Sequence, residues 1–152
     1  MALDDNVVGA FCRTAMDAAF LICEPAAGRH FPAPAGGIVL AGMDYRGVRH
    51  RGRIEVAMER ERCVEIAASM MGIENHDEDA DSNAEDGIKE LLNIAGSRIV
   101  EALHGATSGP FDYSVPETRM TDAAGWAALL GHEGSALLVS DDSPVVLVVK
   151  AA

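Results

Sequence analysis

At 152 residues the chain has room for one domain with one sizeable core, and 49% apolar against 24% charged residues fits a folded globular protein rather than a disordered one. With 24 acidic against 12 basic side chains the formal net charge is -12, which opposes nucleic acid and anionic lipid and favours a protein partner. An acidic, polar opening through Asp4, Asp5 and Asn6 is unlike an export leader, and no run of about 18 apolar residues offers a membrane span. The expectation is a single cytoplasmic domain over residues 1–152. Cys12, Cys23 and Cys63 are odd in number and widely spaced, with no C-x-x-C or H-x-x-x-H pair beside them. They read as reduced, buried thiols rather than as a disulfide framework or a zinc site.

In chain order, Val8, Phe11, Cys12, Ala15 and Ala19 fall at helical spacing and predict a helix over 4–23, with Asp4 and Asp5 at the positive end of its dipole. A loop rich in Pro and Gly follows. The apolar run over 38–43, a turn near Arg46 and Gly47, and the alternation of Val48, His50, Gly52, Ile54, Val56 and Met58 with Arg49, Arg51, Arg53, Glu55 and Ala57 predict a β-hairpin. Residues 59–71 read as a helix with Cys63, Ile66, Ala67 and Met70 on one face and Gly72 as its stop. Residues 74–86 are almost wholly acidic or polar and predict a solvated linker. Short strands are expected at 111–115, 136–139 and 145–149, whereas residues 117–134, with Trp126, give no clear element and read in part as a partner-specific insertion. The fold class is α+β: a two-layer arrangement of a mostly antiparallel sheet with long helices packed on one face.

The long central helix carries the functional signal. Ser82-Asn83-Ala84-Glu85 has the form of a capping box, and Gly105 ends the helix after His104. Ile88, Leu91, Leu92, Ala95, Ile99, Ala102 and Leu103 form its core stripe. Asp86, Glu90, Asn93 and Ser97 form one row on the opposite side, continued by Glu101 and His104. Ile94 and Val100 lie on the shoulders of that row, where a plainly solvated face would carry Lys, Glu or Gln. Apolar shoulders around a polar centre predict a docking surface.

Asp86-x-x-x-Glu90-x-x-Asn93, followed by Pro116 after twenty-two intervening residues, resembles the signature of the CheC/CheX/FliY phosphatases of bacterial chemotaxis. Residues 88–96 are similar to their motif helix, and the order of elements is similar over nearly the whole chain. One copy of the motif makes the chain most like CheX, whereas CheC carries two. The resemblance implies a phosphatase acting on the aspartyl phosphate of a response-regulator receiver, with Glu90 and Asn93 entering the receiver's active site. On that reading the chemistry of the pair has Asn93 position the attacking water and Glu90 pair with the receiver's lysine, while the helix pattern assigns Asp86, Ile94, Ser97 and Val100 to docking. Pro116 is assigned a structural role beside the helix. No cofactor is expected on this chain; Mg²⁺ is expected in the partner receiver. The resemblance also suggests a homodimer.

Other readings carry less. Asp79, Asp81 and Asn83 with Glu90 imitate a calcium loop, but Ala84 stands where the sharp turn needs Gly, and Asp86 where an apolar residue is usual. Arg46, Arg49, Arg51 and Arg53 form a local basic row without an aromatic platform, which suits strand protection and pairing with carboxylates better than nucleic acid. His50 on the inward face of its strand reads as a core histidine. A non-catalytic adaptor that binds a receiver or a flagellar-switch-like partner through the same helix face is the alternative to the enzyme.

Overall fold

A computed structural model describes residues 3–152, so Met1 and Ala2, at the opening read above, lie outside the described residues. The elements run α1 (Asp5–Ala19), β1 (Glu24–Pro25), β2 (Ile38–Arg46), β3 (Arg51–Glu59), α2 (Arg60–Met71), α3 (Glu78–Ser82), α4 (Ala84–His104), β4 (Asp112–Tyr113), β5 (Glu117–Thr121), α5 (Ala123–Leu130), β6 (Ser135–Ser140) and β7 (Ser143–Ala151). The strands form one antiparallel sheet in the order β1-β6-β7-β3-β2-β4, and β5 pairs with β2 on the same edge as β4. This is the α+β architecture the sequence predicts. Among the described residues no helix is long and apolar enough to cross a membrane.

The three long helices lie on one face, with α4 in contact with α1, α2 and β2. Phe11, Ile66, Ile88, Leu91, Leu92 and Ile99 from the helices meet Met43, Ile54, Val56, Met58 and Leu147 from the sheet in one buried cluster. The other face carries a smaller cluster in which Trp126 and Leu129 of α5 cover Ile38, Leu40, Ala57, Val146 and Val148. The stretch read as a partner-specific insertion is therefore an edge strand and a short helix that close part of the second sheet face. Ala57, expected to point outward, lies beneath it, and Glu55 is buried with Arg53 and Lys150 as its ion-pair partners.

Local chemistry accounts for the other departures. α1 stops at Ala19, four residues short of the predicted end. Phe20 takes the left-handed conformation (φ 53°), and the Phe20 and Leu21 amides donate to the carbonyls of Met16 and Ala15. The linker is partly helical: Asp77 caps α3 by accepting from the Asp79 amide, Arg60 pairs with Asp81 at 2.6 Å, and Ala80 and Ala84 are buried one turn apart. Acidic residues at the positive end of so short a helix are favourable rather than repelled. The capping box does not form, because the Ser82 hydroxyl donates backward to the Glu78 and Asp79 carbonyls, and α4 begins at Ala84 after Asn83. The expected strand at 111–115 shrinks to Asp112–Tyr113, since Ser114 satisfies β2 with its side chain and Pro116 has no N–H to offer.

Candidate functional site

Two glycines set the seat of α4. A Cβ on Gly87 would stand 2.9 Å from the Ala67 nitrogen, so its absence permits the close approach of α2. Gly96 leaves room for Met43 beneath the helix and for the Tyr113 ring, whose nearest atom would be 3.9 Å from an added Cβ. With its apolar stripe buried on both flanks, the helix turns Asp86, Glu90, Asn93 and Ser97 to solvent as one exposed row. Glu90 and Asn93 are separated by one turn, roughly 4.5 Å along the axis.

The row faces a groove of about 300 Å³ lined by Asp86, Lys89, Glu90, Asn93, Val115 and Pro116. Lys89 pairs with Asp86 at 3.2 Å on one wall. The other wall is the link between β4 and β5, which is held at several points. Ser114 donates its amide to the Asp44 carbonyl at 2.9 Å and accepts the Asp44 amide on its hydroxyl at 2.8 Å. Thr118 donates to the Glu85 carboxylate at 3.3 Å, which ties β5 to the first turn of α4. Arg53 binds Glu117 at 2.6 Å and Asp44 at 3.1 Å, the carboxylate pairing expected of the basic row. Pro116, distant in sequence, thus stands across the groove from Glu90 and Asn93.

Among the described residues neither the Glu90 carboxylate nor the Asn93 amide has a hydrogen-bond or ion-pair partner, so both are free to engage a ligand. A primary amide donates and accepts at once, and a carboxylate only accepts. The pair is suited to hold a water and to receive a cation, respectively. Thiol chemistry belongs elsewhere: Cys23 and Cys63 are buried, and burial pushes each thiol up to about 12.

Several expected positions move. Val100 is 1% exposed and belongs to the core cluster, so it is not a docking contact. It lies one turn after Gly96, which packs on Met43 of β2 and near Tyr113, a wall that periodicity along one helix does not reveal. Ile94 is half-buried on the opposite shoulder. His104 turns out of the polar row and accepts or donates at the buried Tyr45 hydroxyl, 3.0 Å away. Its ring stacks on His50 with centroids 4.0 Å apart, and Phe111 closes the group. His50 is accordingly a half-buried partner in an aromatic stack at the hairpin turn rather than a core histidine. Burial, then the nearby His50, lowers the pKa of His104. The calcium-loop residues Asp79 and Asp81 lie in α3, and the Asn83 amide donates to the Asp79 carbonyl, so these groups do not converge with Glu90 on one point. Lys89, Tyr113 and Val115 were not singled out from sequence. Lys89 had a signal in its spacing from Asp86, but the other two had none without the sheet.

Residues 39–136 match the family model described as chemotaxis phosphatase CheX. A comparison with curated protein sequences gives no significant match. Among solved structures, the chemotaxis protein CheX from Vibrio vulnificus superposes with a TM-score of 0.67 at 17% identity, over 97% of this chain and 95% of that one. CheX from Desulfovibrio desulfuricans gives 0.65 at 16% identity, over 97% of each chain. The Borrelia burgdorferi structure of a CheX–CheY–BeF3–Mg²⁺ complex gives 0.61 at 17% identity, over 97% of this chain and 96% of that one. At such identities the superpositions speak for the fold, which they share over 97% of this chain.

Proposed function

The chain belongs to the CheX family of chemotaxis phosphatases, and from that premise we propose that it hydrolyses the aspartyl phosphate of a CheY-like response-regulator receiver. The observation that carries the reading is the exposed, unpartnered Glu90–Asn93 pair in a groove closed by Pro116. The Borrelia CheX structure, in complex with CheY, BeF3 and Mg²⁺, supports a receiver as the partner.

A receiver's aspartyl phosphate already has charge stabilisation from its own lysine and Mg²⁺, so the chemistry left to supply is a water held in line with the scissile P–O bond. Asn93 accepts from that water through its carbonyl and donates through its NH₂, which orients a lone pair toward phosphorus. The water oxygen bonds to phosphorus as the bond to the aspartyl oxygen breaks. The carboxylate leaves, and the water's proton passes to the phosphate or to solvent. Asn93 takes no proton, because an amide does not titrate. Glu90, one turn earlier, receives the receiver's lysine and fixes the docking angle. Asp86, with Lys89 across it, and Ser97 extend the polar contact along the row. Mg²⁺ belongs to the receiver and is not held by this chain.

The test is direct. A CheY-like receiver is charged with a small phosphodonor and Mg²⁺, and phosphate release is followed with and without this protein. Acceleration that saturates with receiver concentration is expected. Binding without acceleration would overturn the enzyme reading and leave an adaptor that uses the same face.

A further inference from the structure

The groove has a wall that the helix motif does not supply. Val115 is 88% exposed, yet the chain is held on both sides of it. On its N-terminal side Tyr113 is in register with Tyr45, and Ser114 is bound twice to Asp44. On its C-terminal side Pro116 fixes φ, and Glu117 is in register with Gly42. Exposure here is presentation, not looseness. A β-branched side chain on a pinned backbone has little rotamer freedom to lose on contact. Tyr113, 36% exposed beside Gly96, stands two residues before Val115 on the same side of α4.

We propose that Val115, with Tyr113 beside it, is a specificity-determining contact of this chain, seating against an apolar side chain on the rim of the receiver's phosphorylated pocket. The proposal rests on the Glu90–Asn93 reading, and it names where affinity and partner choice reside rather than where the reaction occurs. Placing a phosphoryl group one water away from Asn93 brings phosphorus within roughly 6 Å of that amide. A standard protein interface covers about 800 Å² per partner, a patch about 16 Å in radius. Val115 shares a groove with Asn93 and lies well inside such a patch. The helix row contributes carboxylates, an amide and a hydroxyl, all of which keep water in the free state, so the surplus from dry burial must come from the other wall. On the helix itself Val100 is in the core and Ile94 is half-buried, which leaves Val115 as the fully presented aliphatic group of the groove.

Val115→Ser removes the apolar contact without adding charge. Val48, 94% exposed on the β2–β3 turn, provides the control as Val48→Ser. Its neighbour His50 stacks on His104, eleven residues and roughly 16 Å along α4 from Asn93. Affinity is measured for a receiver loaded with beryllofluoride and Mg²⁺, and KM and kcat for the phosphorylated receiver. Val115→Ser is expected to raise both Kd and KM by about 10-fold, with kcat at saturation within about twofold of the parent. Val115→Ile is expected to restore affinity to within about threefold, and Val48→Ser to change nothing. Unchanged Kd and KM in Val115→Ser, or a parent that binds no loaded receiver, would overturn the proposal. Failure of the phosphatase reading shows separately, as a parent that binds the loaded receiver but does not speed phosphate release, and the Kd comparison still decides the role of Val115.

Discussion

Gly87→Ala tests how closely the fold has fitted α4 to its neighbour. The added methyl would stand 2.9 Å from the Ala67 nitrogen and 3.0 Å from both its Cα and Cβ. Comfortable separations are about 3.5–4.0 Å. Backbone cannot rotate aside as a long side chain does, so α2 and α4 must part by roughly 0.5–1 Å. Overpacking of this kind costs about 1–3 kcal/mol, and replacing a helical glycine returns about 1 kcal/mol through propensity. The net expectation is a loss of up to about 2 kcal/mol, which for a chain of this size lowers Tm by up to roughly 8 °C. Thermal and urea unfolding followed by circular dichroism measure it, with Gly36→Ala as a control in open space. Because Gly87 lies between Asp86 and Glu90 on the helix, the same displacement should also lower kcat/KM several-fold. A Gly87→Ala protein more stable than the parent by the full propensity gain of about 1 kcal/mol would refute the packing argument, since propensity alone would then govern.

Val100→Asp is expected to cost at least about 3 kcal/mol, by burying a charge without a partner, whereas Ser97→Asp on the exposed row should leave Tm within about 1 °C; melting curves of the two separate core from docking face. Cys23 and Cys63, with thiols pushed up to about 12, should present only on the order of 10⁻⁴ of thiolate at pH 8 and resist alkylation until the chain is denatured, as mass spectrometry of timed labelling would show. His104 titrates below its ordinary value in the folded state, so the unfolded chain binds the proton more readily. Its contribution is fully present above the ordinary value of about 6.5 and is lost as pH falls through the lower folded value. Tm should therefore fall more in the parent than in His104→Gln over that acid range, and equal pH slopes would contradict the assignment.

The legible parts of the sequence were those written in one element at a time. The hairpin alternation, the 3.6-residue stripe of α4 and the αL stop at Gly72 each follow from neighbours in the chain, and the motif row of Asp86, Glu90, Asn93 and Ser97 emerged exposed as its periodicity required. What the sequence concealed is tertiary. Ser82 has the right spacing for a capping box, but Asp77 caps an earlier helix that consumes it. Val100 sits at an angle that would be open on an isolated helix and is buried in the core of the fold. Trp126 and Leu129 looked unattached because the sheet face they cover comes from β2, β3 and β7, with no local trace in residues 117–134. Val115 gains its meaning only when β4 and β5 pair with the same strand and bring the intervening link beside α4.

The central claim is that Asn93 holds the attacking water while Glu90 and the groove hold the partner. The most direct measurement pairs two readings on Asn93→Ala: kcat for phosphate release from a phosphorylated receiver, and Kd for the same receiver loaded with beryllofluoride and Mg²⁺. The expected result is a fall in kcat on the order of 10²-fold with Kd within about threefold of the parent. A variant that keeps the parent's kcat would contradict the account, because the water would then be held by some other group.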